Sequence, residues 1–278
     1  MADRAEIVLP GNVPCEIRWS PNHGGLRTET LGAFIHATRG PSPYASAAAA
    51  PDSGPAWLAE VERQYKIAVD YMDSPNTSSV GPHFCVGPSK VARMVDDDYV
   101  AWHATKDNPR FLGIEVAQDR WQSPFHPNQV EYAAIICALW SEKYGFPRVR
   151  LPRQPAGVVL KRGIIGHEDS YYGYSRGKSD PGFRWDWAAF IPLVELWHHK
   201  LFPGVSPVLS RTGKGLSEFY QANKARLGAP VDQWYDPRGN EVLVTASTPA
   251  HPTGQYHIAR KAMSWKIGSF CWCHEAGL

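Results

Sequence analysis

Gly32-Ala33-Phe34-Ile35-His36-Ala37-Thr38 and Gly163-Ile164-Ile165-Gly166-His167, with Lys178-Ser179-Asp180-Pro181-Gly182 close behind the second, decide how this chain is read. The first two are short apolar runs opened by glycine, the pattern of buried strands. Each carries a histidine at or just past its end, where a strand delivers side chains to a cleft. If the two segments meet in the fold, His36, His167 and Asp180 converge on one point. A single histidine in such a run is more often a core imidazole with its hydrogen bonds satisfied. Two neutral imidazoles and a carboxylate together are a donor set for zinc, whose catalytic sites take three protein ligands and keep a fourth position open.

Outward from these segments the chain alternates strand and helix. Pro41 to Pro55, rich in Pro, Ser, Ala and Gly, reads as a loop over the surface near His36. Trp57, Val61, Tyr65, Ala68, Val69 and Met72 recur at helical spacing, and Ser74-Pro75-Asn76 stops that helix. Short strands are expected at His83 to Gly87, Val91 to Val95 and Phe111 to Ala117. Pro127 opens a second helix that Gly145 and Pro147 end, and Trp185 to Leu201 is a third, broken early by Pro192. The expected fold class is α/β, a mixed central β-sheet flanked by helices, with a small C-terminal module. A composition shift near Pro203 divides the chain into residues 1–203, carrying the chemistry, and 204–278.

The length of 278 residues suits one large domain and a small module, and 43% hydrophobic with 20% charged residues is ordinary globular usage. A net charge of +2 argues against a dedicated nucleic-acid partner. No run approaches a membrane span, so no membrane insertion is expected. The first ten residues lack the basic start and apolar stretch of a secretory signal, so synthesis in the cytoplasm is the expectation. Five cysteines, with Cys85 and Cys137 inside apolar runs, read as buried thiols rather than a disulfide framework. Cys271-Trp272-Cys273-His274 is spaced too tightly, and lacks the second pair, for a structural zinc site.

Four motifs in order, Phe34-Ile35-His36-Ala37-Thr38, Ala101-Trp102-His103-Ala104, Leu112-Gly113-Ile114-Glu115-Val116 and Gly166-His167-Glu168-Asp169 through Lys178-Ser179-Asp180-Pro181-Gly182, resemble the type 2 zinc-dependent N-acetylmuramoyl-L-alanine amidases. That family includes phage endolysins and peptidoglycan-recognition proteins. The resemblance spans roughly Leu31 to Leu201. It implies Zn2+ held by His36, His167 and Asp180, and hydrolysis of the amide between N-acetylmuramic acid and L-alanine of the peptidoglycan stem peptide. It implies Lys178 facing the developing oxyanion and Glu115 carrying the proton from water to the leaving amine. The bland readings are a solvated lysine at 178 and a salt bridge to an arginine at 115.

The resemblance also implies substrate contacts from His103 and Trp102, while His83 is assigned to substrate binding or to a packed place behind the site. Tyr171, Tyr172 and Tyr174 either line the sugar path or pack their own loop. One departure stands out. Some phage members carry a catalytic tyrosine just before the strand histidine, where this chain has Pro82 in Gly81-Pro82-His83-Phe84. Proline has no proton to give, which aligns the chain with the glutamate-using branch and adds weight to Glu115.

Leu216 to Tyr220, Arg226 to Pro230 and Asp236 to Gly239 faintly resemble short modules of bacterial cell-envelope proteins, so residues 204–278 read either as a wall-binding module or as a packing extension. The leading expectation is endolysin-like cell-wall lysis, after holin-type release if the chain is phage-encoded. Its alternatives are a cytosolic amidase recycling anhydro-muropeptides and a peptidoglycan binder without catalysis. Oligomeric state is not legible.

Overall fold

A computed structural model describes residues 6–39, 52–75, 80–121, 123–156, 161–202, 230–235, 241–245, 255–259 and 271–272. The chain divides into two compact units, Met1–Leu201 and Phe202–Leu278. In the first, the strands are β1 (Glu6–Leu9), β2 (Val13–Ile17), β3 (His23–Leu26), β4 (Gly32–Arg39), β5 (Phe84–Val86), β6 (Val91–Arg93), β7 (Tyr99–Ala101), β8 (Phe111–Gln118) and β9 (Gly163–Gly166). The helices are α1 (Gly54–Asp73), α2 (Pro127–Tyr144), α3 (Tyr171–Tyr174) and α4 (Trp187–Leu201). Among the described residues, seven strands form one sheet in the order β1-β2-β6-β5-β8-β4-β9, and β3 pairs with β7 apart from it. The mixed α/β architecture expected from the sequence is the one observed.

The sheet is parallel where the chemistry lies. β4 runs parallel to β8 on one side and to β9 on the other, with Ile35 opposite both Ile114 and Gly166. Parallel neighbours keep paired side chains on the same face, and successive side chains alternate faces. Ala33, Ile35 and Ala37 therefore join Leu112, Ile114 and Val116 in the core under α2 and α4, which also takes Ile135, Ile136, Trp140, Phe190 and Val194. Burial of each such large apolar side chain is worth about 1.5–3 kcal/mol. The opposite face has two parts. α1 covers one with Tyr65, Val69 and Met72 against Cys85, Ala92 and Ala117, while Phe34, Phe111 and Ile165 form a smaller cluster in the other.

Local chemistry explains the helix ends. His126 caps α2 by accepting from the Asn128 amide, Gln129 completes the box from the other side, and Gly145 closes the helix at φ 69°. α1 begins three residues before the expected Trp57, because Ser53-Gly54-Pro55 supplies a cap position and a first-turn proline. α4 departs from expectation more plainly: it runs unbroken through Pro192. The Asp186 carboxylate accepts from the Ala188 and Ala189 amides and fixes the first turn, so the single hydrogen bond that proline removes does not end the helix. β1, β2, β3 and β7 were not anticipated; Glu6–Leu9 and Val13–Ile17 pair as a hairpin around Pro10-Gly11-Asn12, a turn whose Gly11 and Asn12 both sit at positive φ.

In the second unit β10 (Pro230–Tyr235), β11 (Glu241–Thr245), β12 (Gln255–Ala259) and β13 (Cys271–Trp272) pair antiparallel in sequence order. Leu216 to Tyr220, Arg226 to Ala229 and Asp236 to Gly239 lie outside the described residues, as do Gly40 to Pro51, Cys273 and His274. No helix among the described residues is long and apolar enough to cross a membrane. Cys15, Cys85 and Cys137 are free and buried.

Candidate metal centre

The register of β4 builds the site. Because Ile35 is level with Gly166, the next residue of each strand path is a histidine, and the two rings meet at centroids 4.5 Å apart. His167 opens a short 3₁₀ turn, His167–Asp169, that leaves the strand. The chain then circles through α3, where a Cβ on Gly173 would overlap the His167 carbonyl, so only glycine lets the loop close this tightly. The loop returns Asp180 to the same point, with the Glu168 amide donating to the Asp180 carbonyl at 2.8 Å.

His36 Nδ1 lies 3.0 Å from His167 Nδ1 and 3.1 Å from Asp180 Oδ2, and His167 Nδ1 is also 3.1 Å from Asp180 Oδ2. Ligand atoms on a tetrahedral zinc with bonds of about 2.0–2.1 Å stand about 3.3 Å apart. The three atoms thus already have the spacing one ion needs, and they are the group of metal-capable side chains found among the described residues. Protonation suits the same purpose. Burial, reinforced by His167, lowers His36 to about 4 despite the nearby carboxylate, so its ring is neutral at pH 7. Burial alone would raise the Asp180 carboxyl, but the His167 and His36 rings outweigh it and hold it well below the usual carboxylate range. The donor set fits a divalent cation.

Around this point the other expected residues divide. Glu115 pairs in register with His36 and, on its other side, with Cys85, which sets its half-buried side chain on the His36 face. Lys178 is exposed and lines, with Ala37, Gly177, Ser179 and Asp180, a pocket at the strand ends. His103 lies elsewhere than expected. Its ring is buried behind His36, with Nδ1 3.0 Å from His36 Nε2 and Nε2 donating to the Phe111 carbonyl at 3.1 Å. Both nitrogens are occupied inside the protein, which leaves none for a substrate. His83 is likewise corrected from substrate contact to core: it is 0% exposed, its Nδ1 accepts from the Gly113 amide, and its Nε2 faces Arg27 and the Tyr99 carbonyl. Trp102 is 37% exposed and its backbone bridges to Gly81. The tyrosines pack their loop, Tyr171 against Tyr172 and Tyr174, with Lys106 over Tyr172 and Arg153 over Tyr174.

Sequence reading missed Gly113 and Asp107. A Cβ on Gly113 would fall 2.5 Å from His103 Cγ; a glycine inside an apolar strand signals such close approach. Asp107 is buried, its Oδ2 has no hydrogen-bond partner among the described residues, and burial pushes its carboxyl up to about 6 against the pull of His167 and Arg110. Nothing in its local sequence marks it.

A family model described as N-acetylmuramoyl-L-alanine amidase matches residues 27–183, a span holding His36, Glu115, His167, Lys178 and Asp180. The chain belongs to this amidase family. No curated protein matches it. Among solved structures it is similar to a Staphylococcus aureus hydrolase, AmiA, in complex with its ligand, at 13% identity over 66% of this chain and 83% of that one, TM-score 0.41. A mutant endolysin from Bacillus subtilis is 17% identical over 66% of this chain and 99% of the other, TM-score 0.42. The endolysin N-acetylmuramoyl-L-alanine amidase LysCS from Clostridium intestinale gives 15% identity over 62% and 90%, TM-score 0.35. Superpositions this loose add nothing to the family match.

Proposed function

We propose that this amidase-family chain is a zinc enzyme that hydrolyses the amide joining the lactyl group of N-acetylmuramic acid to L-alanine in peptidoglycan, with the polymeric wall as its substrate. The observation that carries the reading is the convergence of His36 Nδ1, His167 Nδ1 and Asp180 Oδ2 at 3.0–3.1 Å beside a glutamate fixed level with His36. When bound, zinc supplies a water whose pKa it brings from 15.7 to about 7 and a Lewis acid for the amide carbonyl.

The chain's own residues do the rest. Glu115, on the face and at the level of His36, takes the proton from the attacking water and returns it to the alanine nitrogen as the C–N bond breaks. The products are the muramyl carboxylate and a free α-amino group. Lys178 stands at the pocket rim, where its ammonium meets the carbonyl oxygen as negative charge develops; one such donor is worth about 10²–10³ in rate in other enzymes. The buried His36 imidazole and the ionised Asp180 hold the ion without needing to lose a proton at pH 7. Residues 204–278 are assigned to wall attachment, which raises the local concentration of the catalytic unit on an insoluble polymer.

The test joins metal analysis of the purified protein to an assay for new amino ends on whole sacculi and on soluble muropeptides. One equivalent of zinc and release of alanine amino ends from sacculi support the proposal. Activity unchanged in a chelator, or release confined to soluble muropeptides, overturns its zinc or its polymer part respectively.

A further inference from the structure

The contacts of His103 reach further than the loss of a substrate role. A neutral imidazole has one donor nitrogen and one acceptor. His103 Nε2 sits 3.1 Å from the Phe111 carbonyl, which can only accept, so the proton is on Nε2 and Nδ1 presents its lone pair. His36 Nε2 is 3.0 Å from that lone pair and must be the donor. A neutral His36 protonated at Nε2 has its remaining lone pair on Nδ1, the atom turned toward His167 and Asp180.

We propose that His103 is a positioning residue that, by relaying the Phe111 carbonyl through its own ring, fixes the His36 tautomer and ring angle so that Nδ1 is the metal-binding atom. The inference rests on the zinc reading above, though the relay itself is a property of the metal-free chain. Three features show the ring to be built in. Gly113, in β8, is the residue over which His103 lies, and a Cβ there would fall 2.5–2.6 Å from three of its ring atoms. Asn108 Oδ1 accepts from both the His103 and Ala104 amides and pins the backbone that carries the ring. Thr105, next in that turn, is held at φ 55°, a region costly for a β-branched residue.

The direct test is the ¹⁵N chemical shift of the ring nitrogens of His36 and His103 in the full chain, stripped of metal and then loaded with zinc. Protonated Nε2 on both rings in the stripped chain is the expected result; His36 protonated at Nδ1 overturns the relay. The second test is zinc affinity measured against a chromophoric chelator. His103→Leu, which leaves the His36 donor buried without an acceptor, should weaken zinc binding about 10- to 100-fold. His103→Gln, which restores an acceptor, should recover most of that loss, and Gly113→Ala should weaken binding by displacing the ring. Wild-type affinity in His103→Leu overturns the proposal. If the wild-type chain binds no zinc, the function proposed above fails, while the tautomer measurement still decides the relay. If His103→Leu does not fold, the wild-type shifts alone decide it.

Discussion

Acid should destabilise the metal-free chain already between pH 7 and pH 5, because three imidazoles are buried in neutral form. Burial lowers His36 to about 4, and holds His83 and His103 well below their ordinary value. In the unfolded chain each titrates near 6.5. Below that value the unfolded state binds protons the folded state refuses, so stability present above pH 6.5 is lost as pH falls toward the folded value. For His36 alone, the difference between pH 7 and pH 5 amounts to about 2 kcal/mol. His83 and His103 act in the same direction; Asp107, raised to about 6 in the folded state, opposes them by about 1 kcal/mol over this window, and Asp180, depressed in the folded state, begins to matter only as pH approaches the ordinary carboxylate value near 3.9. Urea unfolding of chelator-treated protein, followed by tryptophan fluorescence at pH 7, 6 and 5, measures the effect. A loss of 2 kcal/mol or more by pH 5 is expected. Equal stability at pH 7 and pH 5 would refute the claim that these rings are buried uncharged.

Replacing either His36 or Asp180 by alanine should remove stoichiometric zinc and all turnover, read by metal analysis beside the sacculus assay. Glu115→Gln should keep its zinc while turnover falls about 10²- to 10⁴-fold; full activity in that variant would discard the glutamate's role. Lys178→Ala should leave zinc content unchanged and lower kcat about 10²-fold, with little change in KM. Gly32→Ala forces a methyl into the Gly163 carbonyl of the neighbouring strand, so the protein should lose about 1–3 kcal/mol of stability or fail to fold, seen in its melting temperature.

Much of this architecture was legible because its strands are either continuous apolar runs or apolar runs interrupted by one informative residue. Phe34-Ile35-His36-Ala37 and Phe111 to Ala117 announce buried parallel strands, and the helices at Trp57 and Pro127 carry their own periodicity and stops. Two of the strands escaped notice because Ile7, Val8, His23, Gly25 and Leu26 are exposed and so show no alternation to read. The substrate contact expected of His103, and the substrate alternative for His83, fail for a different reason. A histidine next to a short strand looks the same whether it faces a cleft or spans a core, and only the partners of both ring nitrogens distinguish the two. Asp107 was beyond reach altogether, since its burial comes from packing between segments far apart in the chain.

The alternation of β4 separates two demands within eight residues. Ala33, Ile35 and Ala37 answer to the packing of α2 and α4, whereas Phe34 and His36 answer to the donors on the other side. The helix-facing set can drift among small and branched aliphatics without altering the reactive face, and the reactive face can be rewritten without repacking the helices. A single strand therefore gives this fold room for its chemistry to diverge while its scaffold stays put.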